Sequence, residues 1–501
     1  MRIGARAWEW LAPLLVTVLA AVVRLTALGH PHELVFDETY YVKDAWSLWN
    51  LGYEGAWPDD HDQAFVDGDT DAYSTDPAYV VHPPLGKWLI GLGMALLGPE
   101  TGWGWRIAIA LAGTATIPVL YAIARRLSGS IPVAVIAAGL LAVDGLSIAM
   151  SRIALLDGFL ALFILLAVLF LVIDRERARE RLEAARDSLF GPVMWNRPWV
   201  LAAGIALGAA TAVKWSGLYA LAGLGLWLVA ADALDRRRAG IGSWLPSAVL
   251  RQGPASFVLL VPVAAATYLA SWTGWLVTDG GYHRQSDPNP LVALWNYHAS
   301  VYGFHVGLAS EHPYASPAWQ WPLLLRPTAM WLDRPEAGTA SCGMSDDCIA
   351  VIGSHPNPLT WYAGMAALVY LAVAIVRTHD SRLAVPLVGV AITWVPWLLY
   401  PERTIFQFYS VTMLPFACLA LALALQRLCR RREPILLPDP TVPERIQAAA
   451  YAARQQRAWR TAAIAFLALD AAVALYFLPL STGILEPYTL WRAHMWLPSW
   501  I

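Results

Sequence analysis

Asp37 and Glu38 stand side by side in VFDETYYVKDAW, directly after a long apolar run. A carboxylate held at that place can act as a general base. Adjacent helical positions point in different directions, so the two carboxylates cannot share one task. A simpler use of Asp37 is to cap the aromatic helix that follows, by accepting from its backbone N–H groups. Cations recur along the chain in apolar surroundings: Arg106 in WGWRIAIA, Arg152 in SRIALLDGF, Lys214 in AVKWSGL and Arg403 in PERTIF. Ionisable groups in such company are expensive unless they are paired or functional. Arg106, Lys214 and Arg403 gathered at one place would suit an anionic leaving group such as a phosphate. Arg152 and Asp157 read as an intrahelical pair, with a phosphate or Asp37 as the other possible partner of Arg152.

Other polar side chains carry weaker signals. His82 and Lys87 sit in HPPLGKW, where two prolines open a short apolar helix. A lone His before Pro reads more simply as a hydrogen-bonded structural residue than as a metal ligand. LWNYHASVYGFHVG sets Trp295, His298, Tyr302 and His305 near one helical stripe. Those histidines either share a ligand or, more simply, pack on aromatic neighbours. Cys342 and Cys348 in CGMSDDC can close a small bridge, while Cys418 and Cys429 read as free thiols. No Gly-rich phosphate loop, HExxH or CxxC pattern is present, so nucleotide hydrolysis and zinc proteolysis are set aside. No metal site and no cofactor are expected.

The elements that must hold these groups are membrane helices. Hydrophobic residues make up 57 % of the 501 and charged ones 14 %, with a mean hydropathy of +0.47. A soluble domain carries roughly 25 % charge, so most of this surface must face lipid. The net charge of −2 argues against a nucleic-acid partner. Apolar runs of roughly 17–25 residues mark about eleven spans. They lie near 9–28, 103–124, 131–149, 154–173, 199–213, 216–233, 254–277, 359–376, 383–400, 404–426 and 461–479. Arg2 and Arg6 precede the first, which reads as a retained span rather than a cleaved signal. Arg125–Arg126, the run Arg175 to Arg186, Arg236–Arg238 with Arg251, Arg377 with Arg382, and Arg427–Arg432 all fall on one side of this assignment. That side is cytoplasmic by the positive-inside rule, which places the N-terminus in the cytoplasm and the C-terminus outside.

Residues 1–501 therefore read as one all-α polytopic membrane domain with two long outer loops, 29–102 and 278–358, and cytoplasmic segments at 174–198 and 427–460. RERARERLEAARDSLF reads as an interfacial amphipathic helix, and HPPLGKWLIGLGMALLG as a second interfacial helix too short to span. A transporter would carry its charges near the bilayer midplane and show internal repeats. Here the charges gather at one face and no repeat is seen.

The stretches FDETYYVKDAW, HPPLGKWLI, SRIALLDGFLALF, AVKWSGL, LWNYHASVYGFHVGL and HPYASPAWQWPLL occur in this order, the last ending at Leu324. In them the chain resembles the protein O-mannosyltransferases of glycosyltransferase family 39, in their bacterial form. The resemblance implies a GT-C type fold in the cell membrane, a polyprenyl-phosphate-mannose donor, a Ser or Thr acceptor in an exported polypeptide met near the secretion machinery, and inversion at the sugar carbon. It implies that Asp37 is the catalytic acidic residue with Glu38 beside it, and that Arg106 and Lys214 face the phosphate. His82 and Arg152 lie in its motifs without an implied role. The segment 278–358 is too short for the β-trefoil domain of eukaryotic relatives, so nothing known of that domain transfers. A lipid-linked sugar transferase with a glycan or lipid acceptor would show the same outward site.

Overall fold

The chain is described from a computed structural model covering residues 5–339, 342, 347–431 and 441–501. Arg2, Arg432 and the 343–346 part of the CGMSDDC loop lie outside the described residues. The principal helices are α1 (Ala5–Leu25), α2 (Glu38–Leu51), α3 (Leu85–Leu97), α4 (Gly102–Ser128), α5 (Ile131–Val143), α6 (Asp157–Ala184) and α7 (Pro198–Val213). They continue as α8 (Gly217–Arg238), α9 (Trp244–Ser271, with a π-helical turn at Ser247–Gln252), α10 (Pro290–Gly307), α11 (Pro358–Thr378), α12 (Ser381–Leu399), α13 (Leu414–Leu428) and α14 (Val442–Phe477).

Among the described residues, eight helices are long and apolar enough to cross a membrane, fewer than the eleven spans expected. The other three expected spans fall on α5, α7 and α13, with 13, 16 and 15 residues. Thirteen residues rise only about 20 Å, against a hydrocarbon core of about 30 Å. Polar breaks inside the apolar runs explain the shortfall. Asp144 ends α5 by accepting from the N–H groups of Leu146 and Ser147 (2.9 and 3.3 Å), and Lys214 ends α7 in extended backbone.

Burial orders the bundle. Of the apolar stretch of α6, 72 % is buried, against 22 % for α1 and 17 % for α14. Helix α6 is therefore the hub, and α14 and α1 form the rim. Close helix approach rests on small residues: on α7, a Cβ added at Gly204 would meet the Leu260 carbonyl, and one at Gly208 the Ala264 carbonyl, both on α9. The expected separate helix at RERARERLEAARDSLF is corrected, because α6 runs unbroken to Ala184 and carries RERARERLEA as its own last turns, while the remainder is turn and loop. Among the described residues the frame is all-α apart from one small antiparallel sheet. Strand β1 (Ala329–Asp333) pairs with β2 (Cys348–Gly353), and β2 with β3 (Glu486–Pro487), tying the 278–358 segment to the chain's end. Cys342 and Cys348 form a disulfide within this hairpin.

Candidate active site

Asp37 occupies the position before α2, yet its side chain makes no cap bond. Capping is thus not its use. Phe36 before it adopts φ +53°, a left-handed backbone rare for a bulky residue, and three aromatic rings close round it: His312, Phe406 and Phe408, with centroids 6.2, 5.7 and 5.7 Å away. Burial pushes the Asp37 carboxyl up to about 6; Lys214 draws it down, Asp157 pushes it up, and the Tyr41 hydroxyl draws it down. A carboxyl in that range is poised to take a proton near neutral pH.

Lys214 lies in the break between α7 and α8. Its Nζ donates to both oxygens of Asp157 (3.0 and 3.0 Å) and sits 3.7 Å from the Tyr409 ring centroid. It lines a cavity of 170 Å³ together with His82, Tyr219, His305, Tyr400 and Arg403. The Arg403 Nη2 donates to His305 Nδ1 (3.0 Å), and His305 Nε2 in turn donates to the Val81 carbonyl (2.8 Å). His305 is accordingly neutral with its proton on Nε2; burial, and next the Arg403 charge, bring its pKa down to about 4. His82 stacks on His305 at 5.3 Å, and burial, followed by Lys214, keeps it well below the usual histidine range. Among the described residues, Lys214 has a carboxylate partner and Arg403, the other non-histidine cation lining this cavity, has none. Trp215, Leu218 and Tyr302 continue into a second, almost wholly apolar cleft of 680 Å³ walled by α7, α8, α9 and α10.

Several sequence expectations are corrected. Arg106, expected to face a phosphate, is fully enclosed and spent on Glu38. Its Nε donates to Oε1 (2.8 Å) and its Nη2 to Oε2 (2.7 Å), while carbonyls of Pro31 and Glu33 take its remaining hydrogens (2.8 and 2.9 Å). Glu38 also accepts from the N–H groups of Val35 (2.9 Å) and Ala154 (2.7 Å), so both its oxygens are filled and neither is open to a substrate. Arg152 pairs with neither Asp157, Asp37 nor a phosphate site; it donates to the carbonyls of Val23, Arg24, Thr26 and Ala27 at the end of α1. Lys87 forms a buried ion pair with Glu54. His298 and His305 are each bonded within the protein, by different partners. His298 bonds Tyr268 Oη (2.5 Å) and the Leu294 carbonyl (2.7 Å) among Trp215 and Trp272.

Sequence reasoning missed Asp157 as the partner of Lys214, Glu54 as the partner of Lys87, and the ring of Tyr41, Tyr219, Tyr400 and Tyr409. It also missed Arg24, buried within α1, and the buried Arg197 held by Asp174 and Asp232. The usable signal was the carboxylate in each apolar helix, since a lone charge there requires a partner. No group of three or more His, Cys, Asp or Glu side chains that could hold a metal ion occurs among the described residues.

Residues 14–233 match the family profile of the dolichyl-phosphate-mannose-protein mannosyltransferases, and residues 290–500 that of the C-terminal four-transmembrane region of protein O-mannosyltransferases. The polyprenol-phosphate-mannose–protein mannosyltransferase of Mycobacterium tuberculosis is 30 % identical over 98 % of this chain and 92 % of its own length. That of Mycolicibacterium smegmatis is 31 % identical over 99 % and 93 %. The fold is similar to a chain of the S. cerevisiae protein O-mannosyltransferase Pmt1–Pmt2 complex bound to the sugar donor, with TM-score 0.71, 16 % identity and coverage of 100 % of this chain and 93 % of that one. The Archaeoglobus fulgidus oligosaccharyltransferase is more distant, with TM-score 0.53, 13 % identity and coverage of 98 % and 58 %. The chain belongs to the protein mannosyltransferase family, a multi-pass membrane glycosyltransferase with a GT-C-like fold.

Proposed function

We propose that this chain transfers mannose from polyprenyl-phosphate-mannose to Ser or Thr hydroxyls of polypeptides, by a single inverting displacement at the membrane's outer face. The acceptor oxygen attacks mannose C1 while the C1–O bond to phosphate breaks. The hydroxyl proton passes to the Asp37 carboxylate, and the polyprenyl phosphate leaves with a second negative charge. Arg403 is the cation best suited to receive that charge, since no carboxylate competes for it, and Lys214 adds its field from across the cavity. The carrier chain lies in the apolar cleft that opens from the same cavity, past Trp215 and Leu218.

The observation that carries this reading is that Lys214, close enough to Asp37 to lower its carboxyl pKa, lines with Arg403 a cavity that continues into a lipid-sized apolar cleft. Glu38 and Arg106 then serve as the clamp that seats the Asp37 loop. For the topology we infer eleven crossings, with α5, α7 and α13 completed by their flanking turns. The N-terminus is cytoplasmic and the C-terminus outside; 29–102 and 278–358 lie outside, 174–198 and 427–460 inside. The support is the Arg-rich ends of α4, α6, α8, α11 and α13, which lie away from Asp37.

The test is transfer of labelled mannose from the polyprenyl carrier to a Ser/Thr-rich peptide by membranes holding wild type or Asp37→Asn. Peptide label from wild type is expected, and from the variant a transfer rate lower by about 10²-fold or more. Label reaching only lipid or glycan would overturn the acceptor assignment.

A further inference from the structure

At the far end of α6 from Asp157, some 20 residues and roughly 30 Å along the helix axis, lies a cavity of 250 Å³ that the transfer reaction does not use. Arg177 and Arg181, one turn apart on α6, reach its mouth, and Trp199 at the start of α7 forms a wall. The Arg177 guanidinium lies 5.3 Å from the Trp199 ring centroid and has no carboxylate partner among the described residues. Arg181 keeps one contact, from Nη1 to the Asn196 carbonyl (2.7 Å). The cavity's carboxylate, Asp174, is already taken by Arg197, which donates to it from Nη2 (2.5 Å) and Nε (3.0 Å). Arg197 also holds Asp232, and with both carboxylates bound to it the outer guanidinia Arg177 and Arg181 are left without an ion pair among the described residues.

A second, independent feature lies in the same wall. The Trp199 indole Nε1 is buried and has no hydrogen-bond acceptor. A buried N–H left without a partner is costly, so it marks a place where an acceptor belongs. Pro198 at the first position of α7 leaves that helix N-terminus facing the same space, an end that favours negative charge. Two guanidinia, one indole N–H and a helix N-terminus are the donor set for a phosphate oxygen cluster.

The source of that phosphate follows from position. Helix α6 is apolar through Ile173 and charged from Asp174 onward, so the cavity sits where the helix leaves the hydrocarbon. Phospholipid headgroups occupy that depth, and basic side chains there attract anionic lipids. We propose that this cavity binds the phosphodiester of an anionic phospholipid in the leaflet opposite the transfer site.

The test uses the purified full chain in detergent, titrated with phosphatidylglycerol or phosphatidylcholine and read as lipid adducts by native mass spectrometry. Phosphatidylglycerol should bind in preference to phosphatidylcholine and resist millimolar inorganic phosphate. Trp199→Phe, which keeps the ring for Phe170 and Arg177 but removes the N–H, should weaken it about tenfold. The double variant Arg177→Ala, Arg181→Ala should abolish the preference, and Arg177→Lys with Arg181→Lys should restore part of it. Mannose transfer by Trp199→Phe at saturating donor serves as the folding control. Equal binding of both lipids, unchanged affinity in Trp199→Phe, or displacement by inorganic phosphate would each overturn the proposal.

Discussion

Glu38→Gln and Asp37→Asn make the same chemical change at neighbouring positions, and the structure assigns them different consequences. Glu38 is fully enclosed and accepts from Arg106 Nε and Nη2, Val35 N and Ala154 N at 2.7–2.9 Å. A glutamine keeps one oxygen and turns an NH₂ toward donors that need an acceptor. Arg106 is then left buried with its charge uncompensated, a loss of about 3–5 kcal/mol. Domains of 150–250 residues shift by roughly 2–4 °C per kcal/mol; scaled to this longer chain the shift is about 1–2 °C, so a fall of about 3–10 °C in melting temperature follows. Asp37 accepts no cap bond and holds no ion pair among the described residues, so Asp37→Asn should destabilise less than Glu38→Gln while losing about 10²-fold or more in transfer. The assay pairs melting of the purified protein with peptide mannosylation measured well below the melting range. There Glu38→Gln should retain more activity than Asp37→Asn. A Glu38→Gln protein that melts like wild type yet is as inactive as Asp37→Asn would refute the division of labour.

Because burial holds the Asp37 carboxyl up to about 6 and a base acts only when ionised, kcat/KM should fall as pH drops through that value and level off above it; the inflection should be missing from Asp37→Asn. Arg403→Ala should cost about 10²–10³-fold in transfer, and Arg403→Lys should recover little, since one ammonium cannot bond His305 Nδ1 and also present a planar fork to a phosphate. Donor-dependence curves would check both. Ala265 is an exposed residue lining the apolar cleft; Ala265→Trp should raise KM for a long-chain carrier and leave a short-chain analogue unaffected. Equal effects on both carriers would place the lipid chain elsewhere.

The membrane frame was legible because hydropathy sums over a whole helix, and single polar residues do not erase it. The same averaging overran Asp144, which ends α5 at Val143, whereas the expected run 199–213 already stopped at Lys214. The candidate site was half legible. Asp37, Lys214 and Arg403 stand out as charges that apolar sequence would not carry idly. Which cation meets which carboxylate was not legible: Arg106 and Glu38 are 68 positions apart, Lys214 and Asp157 57. Such pairs are set by helix packing and leave no local spacing. The sheet escaped because β1 and β2 are five- and six-residue strands inside a segment otherwise marked by prolines.

Arg24 bears on how the chain is built. It lies in the last turn of the first helix with no ion pair among the described residues, and its guanidinium is satisfied by Ser147, Ser151 and the carbonyls of Leu141 and Ala142. Arg152 closes the same helix end from the other direction. A lone guanidinium within a membrane helix costs about 2.5–3.5 kcal/mol at its centre. Every side-chain and carbonyl group that relieves it, outside its own helix, is synthesised more than a hundred residues later. The first helix is thus a provisional guest of the bilayer until α5 and the turns after it arrive, and its seat is finished by residues 141–152.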